Sequence, residues 1–215
     1  MTGPTQLHTV SGMHHDFRRL NIFPIVAFAV TALSGLFHPI PAAAQVSATM
    51  PKTIQVCHGY GCAFRSRMVL SSADGARFRS IMSAGAASAA AERAALSRAV
   101  SYYEKRTGQA TGYQDKPKTD IGNPERGQMD CVDEATNTRN LLIYLKERGM
   151  LRHHKVERNV SRGFFLDKRY PHFTALISDA SGKRWVVDSW YKPMGGAPDI
   201  MPLEQWKLRG QFGQD

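Results

Sequence analysis

The stretch Asp130-Cys131-Val132-Asp133-Glu134-Ala135 constrains this chain more than any other. Asp130 has the side chain of an N-cap, and the pattern behind it predicts a helix from Cys131 to about Arg148, stopped by Gly149. Cys131, Ala135, Thr138, Leu142 and Leu145 fall near one face, so the buried stripe begins with a thiol. A cysteine in a first helical turn sits at the positive end of the helix dipole, where a thiolate is favoured. Asp133 and Glu134 oppose this, because nearby negative charge raises a thiol pKa. The dipole alone is a weak activator here, and a nucleophilic Cys131 requires a histidine.

Downstream, His172 to Ile177 alternates apolar and polar, Ser178 to Gly182 holds turn chemistry, and Lys183 to Trp190 alternates again. This is the pattern of an antiparallel hairpin. With the turn centred on Ala180, opposed residue numbers sum to 360 and His172 stands opposite Asp188. Opposed residues share a sheet face with Cβ atoms about 4.5–5.5 Å apart, close enough for a carboxylate to hold an imidazole. A slip of one residue would put the two side chains on opposite faces.

Three cysteines, an odd count, leave one thiol over in an oxidising compartment. Cys57 and Cys62 are near neighbours and Cys131 is distant, so the simplest partition is a Cys57–Cys62 disulfide and a free Cys131. An oxidising compartment is suggested by the first 44 residues, which read as a signal peptide. Arg18 and Arg19 precede an apolar run from Ile22 to Leu36, and Ala42-Ala43-Ala44 supplies a cleavage site. The run is shorter than the roughly 20 residues that span a bilayer. An uncleaved anchor is the alternative, and Met13 rather than Met1 is a possible start. The mature chain, 45–215, is expected to be one domain, periplasmic or secreted. It retains 26 basic and 17 acidic residues, a surface suited to anionic partners such as a cell-envelope polymer. No zinc-finger spacing, aromatic RNA-binding motif or long basic run points to nucleic acid.

Ile54 to Cys57 and Cys62 to Leu70 alternate around the flexible His58-Gly59-Tyr60-Gly61, predicting a hairpin whose tip is tied by the disulfide. A metal site of Cys57, His58 and Cys62 would lack a fourth ligand nearby. A short helix is expected over 76–82. An alanine-rich one is expected over 89–106 with Gly108 as its stop, followed by a long loop to Gly127. Val156 to Val160 reads as a short strand and His153-His154 as a solvated connection; 203–208 reads as a short helix.

A thiol attacks an acyl carbon as a thiolate, so it needs a base, an orienting group for the base, and donors for the oxyanion. Cys131, His172 and Asp188 supply the first three roles. The backbone N–H of Cys131 is an oxyanion donor, with Gln128 a weaker second. Trp190 shares the predicted face of His172 and Asp188, which makes it the best groove residue of Trp185, Trp190 and Trp206.

The ordered set Asp130-Cys131-Val132-Asp133-Glu134-Ala135, Pro171-His172-Phe173-Thr174-Ala175-Leu176 and Val186-Val187-Asp188-Ser189 resembles the transglutaminase-like cysteine peptidase superfamily, especially its bacterial periplasmic branch. The resemblance covers about 60 to 70 residues. It implies an α+β fold with a papain-like core, a Cys-bearing helix packed on an antiparallel sheet, carrying Cys131, His172 and Asp188 as a triad. Some such relatives use calcium; here Asp133 and Glu134 are explained as helix-start residues, and no metal or cofactor is expected. The reading is an exported thiol hydrolase acting on an amide bond of a protein or peptide, by hydrolysis or acyl transfer. The alternative is a non-catalytic envelope-binding domain; a redox protein using Cys57 and Cys62 ranks last, because their spacing is not C-x-x-C.

Overall fold

The computed structural model describes residues 50–119, 124–163 and 171–209. The leader expected over 1–44, its cleavage site and its start lie outside the described residues. No helix among those described is long and apolar enough to cross a membrane.

In chain order the described elements are β1 (Lys52–His58), β2 (Phe64–Leu70), α1 (Ser72–Ser83), α2 (Ala89–Thr111), α3 (Cys131–Glu147), β3 (His154–Val156), β4 (Val160–Arg162), β5 (His172–Asp179), β6 (Arg184–Asp188), β7 (Asp199–Pro202) and α4 (Leu203–Leu208). β1 and β2 form the expected hairpin, and the second sheet runs β3-β5-β6-β7, with β4 also paired to β5. Every pairing is antiparallel, so the class is α+β.

The two faces of the second sheet serve different partners. Ala175, Ile177 and Val187 join the main core with Leu141, Leu142 and Leu145 of α3, together with β1, β2, α1 and α2. Leu176 and Val186 join a smaller core with Leu203 and Trp206 of α4. Alternation along the strands therefore places His172 and Asp188 on the α4 side.

Several sequence expectations shift for identifiable reasons. α2 does not stop at Gly108 but runs to Thr111 and ends at Gly112, in the left-handed region at φ 77°. Gly108 answers a different need: a Cβ there would meet Met194 Sδ at 2.7 Å. The single strand over 156–160 is instead two short strands, β3 and β4, pairing with the far and near halves of β5. His154 is buried, not solvated. Its Nδ1 lies 2.8 Å from Glu92 Oε1, and Glu92 also accepts the backbone N–H groups of Arg152 and His153. A buried acid on α2 thus anchors the chain entering β3.

The Cys57–Cys62 disulfide is present and Cys131 is free. Closing a loop of this length removes unfolded-state entropy worth about 2 kcal/mol. Replacing both Cys57 and Cys62 by Ser should lower stability by about that amount in urea unfolding. It should also raise hydrogen exchange at the Tyr60, Gly61 and Cys62 amides ahead of global opening; unchanged protection there would mean the loop holds without its covalent tie.

Candidate active site

Asp130 is the N-cap of α3. Its Oδ1 accepts the backbone N–H groups of Val132 at 3.0 Å and Asp133 at 2.9 Å, and Asp133 reaches back to the Asp130 N–H. The same two carboxylates receive a second set of donors from the disulfide loop. Tyr60 and Cys62 donate their N–H groups to Asp133 at 2.8 and 2.5 Å, and Gly61 donates to Asp130 at 3.0 Å. These donors converge because Gly59, Tyr60, Gly61 and Cys62 are consecutive left-handed residues, φ 84°, 69°, 61° and 61°, which turn successive N–H groups into one concavity. Tyr60 and Cys62 hold that conformation against a steric cost. Asp133 is nevertheless pushed up to about 6, by burial and then by the charge of Asp130.

His58 is absorbed into this hairpin. Its Nδ1 accepts the Gly127 N–H at 3.2 Å and its Nε2 meets Ser66 Oγ at 2.9 Å. The sulfurs of Cys57 and Cys62 lie within 4.8 Å of an Asp133 oxygen, but the disulfide occupies both.

The β5–β6 register differs from expectation. Ala175 pairs with Val187 and Ser178 with Arg184, so opposed numbers sum to 362. Gly182, φ 83°, closes a loop of Ala180, Ser181 and Gly182, and Asp179 Oδ1 accepts the N–H groups of Ser181 and Lys183. The turn is therefore centred on Ser181. This register sets Thr174, not His172, across from Asp188. Because the shift in the sum is even, His172 and Asp188 keep one face as diagonal neighbours, and His172 Nε2 lies 2.8 Å from Asp188 Oδ2.

Asp188 is buried and accepts a second bond, from the Trp206 indole N–H at 2.6 Å. With Nε2–H given to the carboxylate, the neutral imidazole keeps its basic lone pair on Nδ1, a buried atom without a hydrogen-bond partner. The ring sits among aromatics, 4.7 Å from Trp190, 5.3 Å from Tyr191 and 5.6 Å from Trp206 between centroids.

Cys131 packs with Trp190 and Tyr191. Its sulfur lies 4.0 Å from Pro171 O and accepts the Phe173 backbone N–H, touching the chain on both sides of His172. The thiol thus lies against the backbone on both sides of His172 at the start of β5, with Pro171 O as its nearest acceptor. Burial, followed by the charges of Asp130 and Asp188, pushes the thiol up to about 12, and the Phe173 N–H only partly offsets this.

Of the remaining predicted residues, Trp190 is buried and its indole donates to Thr119 O at 2.9 Å, tying the preceding loop to the site. Gln128 does not join the thiol. Its Oε1 accepts from the Lys116 N–H and its Nε2 donates to Gln114 O, so it organises that same loop. Sequence reasoning missed Tyr191, Glu104 and Asp115; it named Trp206 only as a lesser groove candidate and Glu134 only as a helix-start residue, not as partners of Asp188 and Ser189. One signal for Glu104 was available: it continues the Leu96–Val100 spacing along the buried stripe of α2.

No family model, curated protein or solved structure matches this chain.

Trp206→Phe keeps an aromatic ring in the small core and removes the donor to Asp188. Loss of a hydrogen bond to a buried charged group should lower stability by about 1–3 kcal/mol in chemical denaturation. Unchanged stability would show that His172 alone satisfies the carboxylate.

Proposed function

We propose that this chain is an exported thiol hydrolase with a transglutaminase-like core, acting on an amide bond of a protein or peptide. The observation that carries the reading is the division of labour on His172: Asp188 takes Nε2 and leaves Nδ1 without a partner, while the free Cys131 lies against the backbone on both sides of that histidine. The order of a cysteine opening a helix, a histidine on one strand and an aspartate on the next supports it. So does the packing of α3 on an antiparallel sheet. The disulfide suits an oxidising compartment, periplasmic or extracellular.

In the proposed reaction Nδ1 takes the Cys131 proton as the sulfur attacks the amide carbonyl. The tetrahedral oxyanion is met by the Cys131 backbone N–H. The imidazolium then protonates the leaving amine, giving a thioester on Cys131 that water, or another amine, resolves with His172 acting again as base. Asp188 holds the ring and stabilises its charged form throughout.

The second reading, a non-catalytic binding domain with this fold, is favoured by one observation: the resting thiol is bonded to Pro171 O and held well above the usual thiol range. Alkylation separates the two. Iodoacetamide should label Cys131 with a rate plateau extending below pH 7, and His172→Ala should slow labelling at neutral pH by about 100-fold or more. Equal, slow rates in both proteins would overturn the hydrolase and favour the binding domain.

A further inference from the structure

Four segments of the chain bring carboxyl groups together behind Asp188. Glu134, in the first turn of α3, accepts the Ser189 hydroxyl at 2.7 Å, and Ser189 directly follows Asp188. The Ser189 hydroxyl also meets Thr138 Oγ1 at 3.3 Å and reaches Glu104 of α2. Glu104 takes the Gly195 N–H at 2.6 Å on one oxygen and leaves the other buried without a partner. Asp115, from the loop after α2, takes the Met129 N–H at 2.6 Å and hydrogen-bonds to Glu134. Glu104, Asp115 and Glu134 are all buried.

A hydrogen bond between two carboxyl groups exists only with a proton between them. Among the described residues, the titratable groups acting on Glu134 include Tyr103 and Glu104 of α2, Asp115 of the loop, Asp133 of its own helix and Asp188 of β6, whose carboxylate also holds His172. The structure thus favours a protonated arrangement, which burial and then mutual repulsion both reinforce by raising Glu104, Asp115 and Glu134.

We infer that Asp115, Glu134, Ser189 and Glu104 form a proton-holding support that positions Asp188, and through it His172, and that loosens when the proton leaves above neutrality. Glu134 is its central positioning residue. The inference rests on the His172–Asp188 arrangement of the proposed site and adds the regulation of that site by pH. Deprotonation would place a further buried negative charge beside Asp188, with Ser189 as the covalent neighbour of both. Because the folded protein holds protons that the unfolded chain releases, these acids make stability fall as pH rises from the ordinary carboxylate range toward their raised values.

The test follows the downfield proton resonance of the His172 Nε2–H by NMR from about pH 5 to about pH 10, assigned by its loss in His172→Ala. In the native protein the resonance should shift with an inflection above neutrality. Glu134→Gln keeps the hydrogen-bonding shape without the charge and should retain the resonance but abolish the inflection. Glu104→Gln removes one repelling neighbour and should move the inflection down by about one pH unit. No inflection in the native protein, or the same inflection in both variants, overturns the support. If Glu134→Gln fails to fold, an unmoved inflection in Glu104→Gln is sufficient to overturn it. Cys131 alkylation reads the hydrolase separately: an unreactive thiol beside a Glu134-dependent inflection overturns the enzyme and upholds the support.

Discussion

Two carboxylates at one helix start hold this site together. Asp130 and Asp133 receive N–H groups from the first turn of α3 and from the left-handed loop between Cys57 and Cys62. Each partner offsets a cost borne by the other. Four consecutive left-handed residues are unfavourable for an L-peptide chain, and two buried acids are unfavourable without donors. Joined, the loop's converging N–H groups solvate the acids, the acids hold the loop, and the disulfide limits the alternatives open to it. The arrangement continues one layer inward, where Asn137 of α3 bonds both the N–H and the carbonyl of Cys57. The position of Cys131 follows from this docking, since it is the first residue of the helix so fixed.

Burial, ahead of the charges of Asp130 and Asp188, sets the energetics of the thiol. A pKa of about 12 against an ordinary 9 corresponds to roughly 4 kcal/mol disfavouring the thiolate. The helix dipole, about 1 kcal/mol, is too small to offset this. Keeping the thiol neutral at rest also shields it from the oxidation to which an exposed thiolate is prone.

How legible the site was depended on whether its determinants were local. The N-cap at Asp130, the stop at Gly149 and the tied tip at Cys57 and Cys62 are local chemistry, and sequence pattern located them. The hairpin register failed by two in the residue sum because it depends on which loop residue takes positive φ. Gly182 made that choice, and the period-2 alternation preserved the shared face regardless. Gly108 misled because close approach to Met194 is a tertiary demand that looks like a helix stop in sequence. Glu104, Asp115, His154 and Trp206 were illegible as partners because each is satisfied across 14 to 91 residues of chain.

The sheet itself limits where chemistry can occur. Along β5, odd residues face α3 and even residues face α4, so the helix bearing Cys131 and the pair His172–Asp188 belong to opposite sides of one strand. Through the middle of a strand such groups are separated by the sheet. Where the strand begins, the sulfur lies against Pro171 and Phe173 while the imidazole of His172 turns among Trp190, Tyr191 and Trp206. In the proposed hydrolase a reacting carbonyl would be presented at the start of β5. Trp190 is the residue that closes this corner from a third direction, its ring against the imidazole and its indole N–H bound to Thr119. The buried acids behind Asp188 meet the chain just after β6, where Glu134 accepts the Ser189 hydroxyl.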